Sequence, residues 1–119
     1  MARHDWKKDF KHLYLPKPGL FAVVDVPPMQ FLMIDGHGDP NTSPAFQDRF
    51  TALYGVAYGL KFAAKKQNPP QDFTVMALEA LWWAEDMAAF SLERRDEWLW
   101  RAVILQPDFI TQALMDSVR

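Results

Sequence analysis

A single carboxylate, Glu79, lies in the middle of an apolar stretch, residues 73–83 (FTVMALEALWW). The composition of this stretch predicts a buried strand, whose side chains would alternate between two faces. A carboxylate on such a surface is unfavourable unless it is hydrogen-bonded, paired or used in chemistry. No Lys, Arg or His is close to it in sequence. Glu79 is therefore either a functional acid in a cleft or a structural acid satisfied by backbone donors or a distant base such as Arg101.

Aromatic residues are the second candidate component of a site. The chain contains five Trp, nine Phe and three Tyr. Aromatic walls around one acid suit flat, apolar or cationic organic molecules. For any single aromatic residue, packing in the core is the alternative. The residues predicted to bind a ligand together with Glu79 are Tyr54, Tyr58, Trp83, Trp98 and Trp100, and the candidate catalytic residue is Glu79.

Other chemistries have little support. Residues 35–39 (DGHGD) predict a tight turn, because neither a Gly-Lys-Ser/Thr phosphate loop nor a dinucleotide-binding pattern is present. The three His are not spaced as a metal-binding pair on a helix would be, so no metal and no cofactor are predicted. No nucleophile motif surrounds Ser43, Ser91 or Ser117. The chain has no Cys, which excludes disulfides and thiolate chemistry.

The elements that must position these residues follow from the periodicity of the sequence. Apolar residues three and four apart, from Phe46 to Ala64, predict one long helix that Thr42 or Ser43 can cap and that ends near Lys66. Strands are predicted at residues 21–26, 30–35, 73–83 and 97–106, and a short helix follows Pro107. Pro27 and Pro28 predict a hairpin or a kink between the first two strands.

Size and charge narrow the class of protein. A chain of 119 residues fits one domain with an ordinary core. The net charge of −2 and the absence of a basic stripe argue against a nucleic-acid partner. No apolar run is long enough to span a membrane, and the N-terminus is too charged for a signal peptide. We therefore expect no membrane partner and a cytoplasmic location.

The predicted fold class is α+β, a small antiparallel sheet with one long helix on one face. One helix covers only one face of such a sheet, yet the predicted strands are apolar on both. The second face needs a cover, and an identical chain would supply it. We therefore expect a homodimer with an aromatic cleft between the two copies.

Several segments, in this order, resemble gyrase-inhibitor-like (GyrI-like) small-molecule-binding proteins. The resemblance runs from about residue 9 to the end of the chain. It rests on residues 9–14 (DFKHLY), 25–29 (DVPPM), 31–41 (FLMIDGHGDPN), 53–61 (LYGVAYGLK), 78–83 (LEALWW), 98–100 (WLW) and 106–109 (QPDF).

The resemblance implies a fold of two strand–helix–strand–strand modules related by pseudo-twofold symmetry, with a ligand between them. It implies binding of multidrug-like compounds and, in one branch, hydrolysis of cyclopropane-bearing compounds. The pocket acid would fall on Glu79, and the pocket aromatics on Tyr54, Trp83, Trp98 and Trp100. Familiar members are about twice as long. This chain would thus be one half-domain, residues 1–119, with an arm at 1–19 and the module with its C-terminal helix at 20–119. Either two copies pair to rebuild the pocket, or the chain is a fragment of a two-module protein.

Three functions are consistent with these observations. The first is a binding protein for amphipathic, aromatic or cationic small molecules, with Glu79 as an electrostatic anchor. The second is a hydrolase in which Glu79 activates water against a strained ring carbon. The third is an interaction module that binds a protein partner through an uncovered sheet face.

Overall fold

The computed structural model describes residues 3–15, 17–42 and 44–118. The strands are β1 (Arg3–His4), β2 (Gln30–His37), β3 (Asp72–Phe73), β4 (Glu79–Trp83) and β5 (Leu99–Gln106), and the helices are α1 (Trp6–Asp9), α2 (Lys11–Tyr14), α3 (Pro44–Lys65) and α4 (Gln112–Val118). Two 3₁₀ segments, Met87–Ala89 and Leu92–Glu97, lie between β4 and β5. Within the described residues, no helix has the length and apolar character needed to span a bilayer.

The main sheet has three antiparallel strands in the order β2–β5–β4. Its register places Met33 and Glu79 on either side of Val103, and Asp35 and Leu81 on either side of Arg101. The long helix α3 packs against one face of this sheet. The predicted class, an antiparallel sheet with one long helix, is confirmed.

The core lies between α3 and the sheet because the apolar patterns of both elements meet there. Helix α3 contributes a stripe of residues three and four apart, and β5 contributes every second residue. The buried residues of this layer are Leu53, Ala57, Leu60 and Ala64 from α3, and Trp100, Ala102 and Ile104 from β5.

Gly36 on β2 lies directly beneath the Trp100 indole on β5. A Cβ atom at position 36 would overlap the six-membered ring of Trp100, so a residue without a side chain is required there. Trp100 also meets the ring of Phe46 edge to face, with centroids 5.0 Å apart. These contacts leave Trp100 only 1% exposed.

The N-terminal arm is attached to the domain through Asp72. Strand β1 pairs in parallel with β3, and the carboxylate of Asp72 accepts hydrogen bonds from Arg3 Nε at 3.3 Å and Lys61 Nζ at 3.0 Å. Lys65 Nζ lies 3.9 Å away. Lys61 also donates to the carbonyl of Phe73. One buried acid thus links the arm, α3 and β3.

Three sequence predictions about secondary structure need correction. Residues 73–83 do not form one strand, because Phe73 pairs with the arm and the main sheet receives this segment only from Glu79 onward. Residues 21–26 form no strand, and both faces of this segment are exposed. The strand predicted from residue 97 begins at Leu99, because a 3₁₀ segment extends to Glu97. The cap predicted at Ser43 lies outside the described residues.

The Asp72 cluster makes stability pH-dependent. Hydrogen bonds from Lys61, then Arg3 and the Phe73 amide, lower the pKa of Asp72 from 3.8 to about 2. A carboxylate with a depressed pKa stabilises the fold above its unfolded pKa and loses this effect as the pH falls through its folded pKa. We expect Asp72→Asn to lower the Tm at pH 6, and we expect the difference from the original protein to shrink between about pH 4 and pH 2.

The matched control is Asp48→Asn, which removes the same charge from an exposed position on α3. This substitution should leave the Tm nearly unchanged at every pH. A Tm difference for Asp72→Asn that stays constant from pH 6 to pH 2 would contradict the proposed role of the carboxylate.

Candidate functional site

The sheet face opposite α3 carries large apolar side chains that remain exposed. We call it the open face. Its centre consists of Phe31, Met33 and Asp35 from β2, Leu99, Arg101 and Val103 from β5, and Glu79, Leu81 and Trp83 from β4. Phe31, Met33 and Leu81 are 43%, 56% and 61% exposed. Contiguous exposed apolar surface of this kind marks a binding or interaction site.

One end of the open face is covered by the arm. Leu105, opposite Phe31 in the register, is buried. It shares a cavity with Trp6 and Phe10 of the arm and with Pro27. The open face is therefore bounded on this side, and its exposed part extends toward Glu79 and Leu81.

A groove of about 440 Å³ crosses the open face beside Glu79. Apart from Glu79 and Arg101, its walls are apolar: Phe31, Met33, Ala80, Leu81 and Val103. Glu79 itself is exposed and not buried as the sequence pattern suggested. The acid therefore stands at an apolar groove where a ligand or a second protein surface can reach it.

The base on the open face is engaged by a different acid. Arg101 donates from Nε to Asp35 Oδ1 at 2.7 Å and from Nη2 to Oδ2 at 3.1 Å. This fork lowers the pKa of Asp35 and raises that of Arg101. The guanidinium carbon also lies 6.0 Å from the ring centroid of Trp83. The sequence alternative that paired Glu79 with Arg101 is wrong, since Arg101 pairs with Asp35.

Glu79 has no basic partner within the described part of the chain. Over residues 3–15, 17–42 and 44–118, no basic group lies within ion-pairing distance of it. Its negative charge acts on Tyr14, the last residue of α2. Burial, and secondarily the charge of Glu79, raises the pKa of this phenol. The phenol of Tyr14 on the arm is thus sensitive to the charge of Glu79. Reasoning from single residues did not select Tyr14, although it ends the DFKHLY segment that supports the family resemblance.

The aromatic residues predicted to bind a ligand are divided between different parts of the molecule. Trp83 lies on the open face with Glu79. Trp100 is buried on the helix side, and Tyr58 is exposed on α3. Trp98 stacks on Phe90, with centroids 4.8 Å apart, in the segment before β5. The structure therefore brings only Trp83 from this set to the same face as Glu79.

Tyr54 supports the site from behind. Its hydroxyl accepts a hydrogen bond from the Leu78 amide at 2.8 Å, and its ring packs on Phe50 with centroids 5.1 Å apart. Leu78 immediately precedes Glu79. Tyr54 on α3 thus fixes the point where the chain enters β4 and presents Glu79 to the open face.

The described part of the chain contains no arrangement of side chains that suggests a metal centre. Among those residues, no group of three or more His, Asp or Glu side chains is placed to hold a metal ion. His37 lies near Glu85, Asp86 and Glu97 in a separate groove at the end of β2, outside the centre of the open face.

Comparisons with known proteins place this fold beside three solved structures from Listeria innocua. One is an uncharacterized conserved protein, 37% identical with a TM-score of 0.82. Two are called hydrolases, 36% and 34% identical with TM-scores of 0.79 and 0.76. Each alignment covers 98% of this chain but only 56% or 57% of the other. No family model and no curated protein matches the chain.

The Tyr54 hydroxyl gives a prediction about the site's support. Tyr54→Phe leaves the Leu78 amide without its acceptor and should destabilise the protein by about 1 to 2 kcal/mol. Tyr58→Phe removes a hydroxyl from an exposed ring on the same helix and should change stability by less than about 0.5 kcal/mol. Urea unfolding of both variants measures the difference. Equal effects of the two substitutions would contradict a specific role for Tyr54.

Proposed function

We propose that the protein binds amphipathic, aromatic or cationic small molecules at the open face, in the manner of GyrI-like proteins. The observation that carries this proposal is an acid without a basic partner beside an exposed apolar groove. Such a carboxylate attracts a positive charge or a hydrogen-bond donor, while the apolar walls contact the body of the ligand. The neighbouring Asp35–Arg101 pair has no net charge. The net charge at the groove is therefore the negative charge of Glu79.

A ligand on this groove needs a second wall, and we propose that a second copy of the chain provides it. The chain exposes 8280 Å², whereas a compact folded monomer of this mass exposes about 6,600 Å². The excess of about 1,700 Å² per chain would give a dimer interface in the range of obligate homodimers. Met33, Phe31 and Leu81 on the open face are among the large apolar side chains that the chain exposes.

A second candidate function is hydrolysis, and the names of two similar structures favour it. Both are called hydrolases, although this chain spans little more than half of each. In this reaction Glu79 would take a proton from water as the water oxygen forms a bond to a strained, electrophilic ring carbon. The ring carbon–carbon bond would break, its electron pair would pass to the rest of the substrate, and that part of the substrate would take up a proton from solvent. The Tyr14 phenol would lie on the arm side of the acid. General-base help of this kind contributes about 10² to 10⁴ in rate.

Glu79→Gln tests both candidates, because it preserves the shape of the side chain and removes its charge. We expect unchanged or slightly higher stability, since the exposed acid has no basic partner to lose. Affinity for planar cationic compounds should fall at least tenfold, or about 1.4 kcal/mol. Thermal shift with a panel of such compounds measures the affinity, and mass spectrometry of the recovered compound separates binding from hydrolysis by the added water.

The matched control is Glu85→Gln, which removes the same charge from an exposed position outside the open face. It should leave ligand affinity unchanged. The proposal is wrong if Glu79→Gln binds the same compounds with unaltered affinity, or if it unfolds so readily that Glu79 must be structural.

The second copy is tested with Leu81→Arg, which places a charge at the centre of the open face. We expect it to weaken self-association at least tenfold, about 1.4 kcal/mol, because each copy would bury an unpaired arginine. Ala52→Arg adds the same charge to an exposed position on α3 and should not change association. Sedimentation at micromolar concentration gives the masses, and equal association of the two variants would show that the open face is not the interface.

A further inference from the structure

Residues 20–26 (LFAVVDV) form an exposed, apolar segment without a regular partner. Its composition is typical of a strand, but the structure leaves it outside both sheets. The side chains of Phe21 and Val23 are fully exposed, and those of Leu20 and Val26 are about two-thirds exposed. A strand-forming segment with unpaired backbone groups and exposed apolar side chains is a template for pairing with another chain.

The main sheet offers a matching edge. Strand β2 is the outer strand next to β5, so its other side has no strand partner in the described sheet. A groove of about 340 Å³ lies between the first half of β2, residues 30–33, and Gln112 and Met115 of α4. The second half of the edge is occupied by Arg49, which donates to the carbonyl of Asp35. The free part of the edge therefore coincides with the groove.

We propose that residues 20–26 of a second copy add as a strand to β2, in the groove between β2 and α4. In strand addition, backbone hydrogen bonds to an exposed sheet edge supply affinity, and pockets beside the edge receive alternate side chains. The lining of the groove contains no charged residue, and the segment contains one, Asp25. Pairing would bury apolar surface with little loss of charge solvation.

A second copy fits the geometry better than the segment's own sheet. Pro27, Pro28 and Met29, which connect the segment to β2, line a cavity together with Trp6 and Phe10 of the arm. Held there, the connection leaves Phe21 and Val23 exposed instead of folding them back onto β2. Reciprocal exchange of the two segments about a two-fold axis would close the assembly as a dimer.

This inference goes beyond the proposed function, because ligand binding at the open face does not require strand exchange. The two contacts share Phe31 and Met33 but depend on different groups: the exchange uses the backbone edge of β2, while ligand binding uses side chains on β4 such as Glu79 and Leu81. One can fail without the other.

Cross-linking tests the exchange directly, since the chain has no Cys of its own. Val23→Cys is mixed with a mass-tagged Phe31→Cys copy and treated with a short bismaleimide. We expect a mixed cross-linked dimer in at least tenfold higher yield than with the control pair Val23→Cys and mass-tagged Ala52→Cys, whose second thiol lies on α3. Phe31 and Ala52 are both exposed in the single chain, so a random collision would label them alike.

A doubly substituted chain, Val23→Cys with Phe31→Cys, distinguishes the alternative. Cross-linking within one chain at high dilution, together with no excess of the mixed dimer, would show a hairpin of the segment on its own β2 and overturn the proposal. Equal yields for the Phe31 and Ala52 pairs would overturn it as well. If the protein nevertheless sediments as a dimer that Leu81→Arg disrupts, the proposal that a second copy covers the open face is supported, and only the proposed strand exchange is wrong.

Val23→Pro provides an independent measurement. Proline removes the backbone donor at that position and is excluded from paired strand interiors. It should raise the dimer dissociation constant at least tenfold, whereas Val23→Thr, which retains the amide and the β-branched shape, should change it less than threefold. Equal dissociation constants for the two variants would contradict pairing through this segment.

Discussion

The structure depends on the imbalance between a sheet with two apolar faces and a single long helix. A helix of 22 residues, α3, buries one face through a stripe of small and branched residues. The strands present large apolar side chains to the other side too, where Met33, Leu81 and Phe31 stay exposed. A radius of gyration of 16.7 Å compares with about 13.5 Å for a compact chain of this length. The fold is thus thin and extended, with surface suited to a partner.

The charges of the molecule are arranged around this imbalance. The carboxylate of Asp72 pairs with Arg3 of the arm and Lys61 of α3. The carboxylate of Asp35 pairs with Arg101. Both groups fix backbone segments: the Asp35–Arg101 pair has no net charge, and the Asp72 cluster, with three bases around one acid, is net positive. Glu79 differs from Asp35, the other acid of the open face, because it has no basic partner among the described residues and stands beside an apolar groove. The proposed chemistry follows from this unpaired acid of the open face.

The sequence predicted the parts of the fold that repeat along the chain. The 3.6-residue period identified α3 and its buried stripe, and the two-residue period of β5 separated Trp100, Ala102 and Ile104 from Leu99, Arg101 and Val103, as observed. The strand predicted at 73–83 failed because apolar composition alone cannot show that Phe73 pairs with the arm while Glu79 enters the main sheet. Composition likewise predicted a strand at 21–26 that finds no partner within one chain.

The site could be predicted less completely, because its members come together through the sheet register. Glu79 and Trp83 share a strand face at even spacing, so alternation was sufficient to associate them. The aromatic residues give no such information about which face they occupy: Trp100 on β5 is buried on the helix side of the sheet, and Tyr54 on α3 accepts a hydrogen bond from the Leu78 amide. Asp35 and Arg101 are 66 residues apart, and only the register of β2 on β5 places them side by side. The pKa of the Tyr14 phenol on the arm is raised by burial and secondarily by the charge of Glu79, a relation that only the fold of the arm creates.

Methionine oxidation measures whether the open face is covered in solution. Met33 on the open face and Met87 in the segment before β5 are 56% and 59% exposed in the single chain. Peroxide should therefore oxidise them at similar rates if the chain acts alone. Peptide mass spectrometry on the native protein at micromolar concentration gives both rates. If the open face is covered, Met33 is oxidised at least tenfold more slowly than Met87; equal rates would mean that the open face is uncovered.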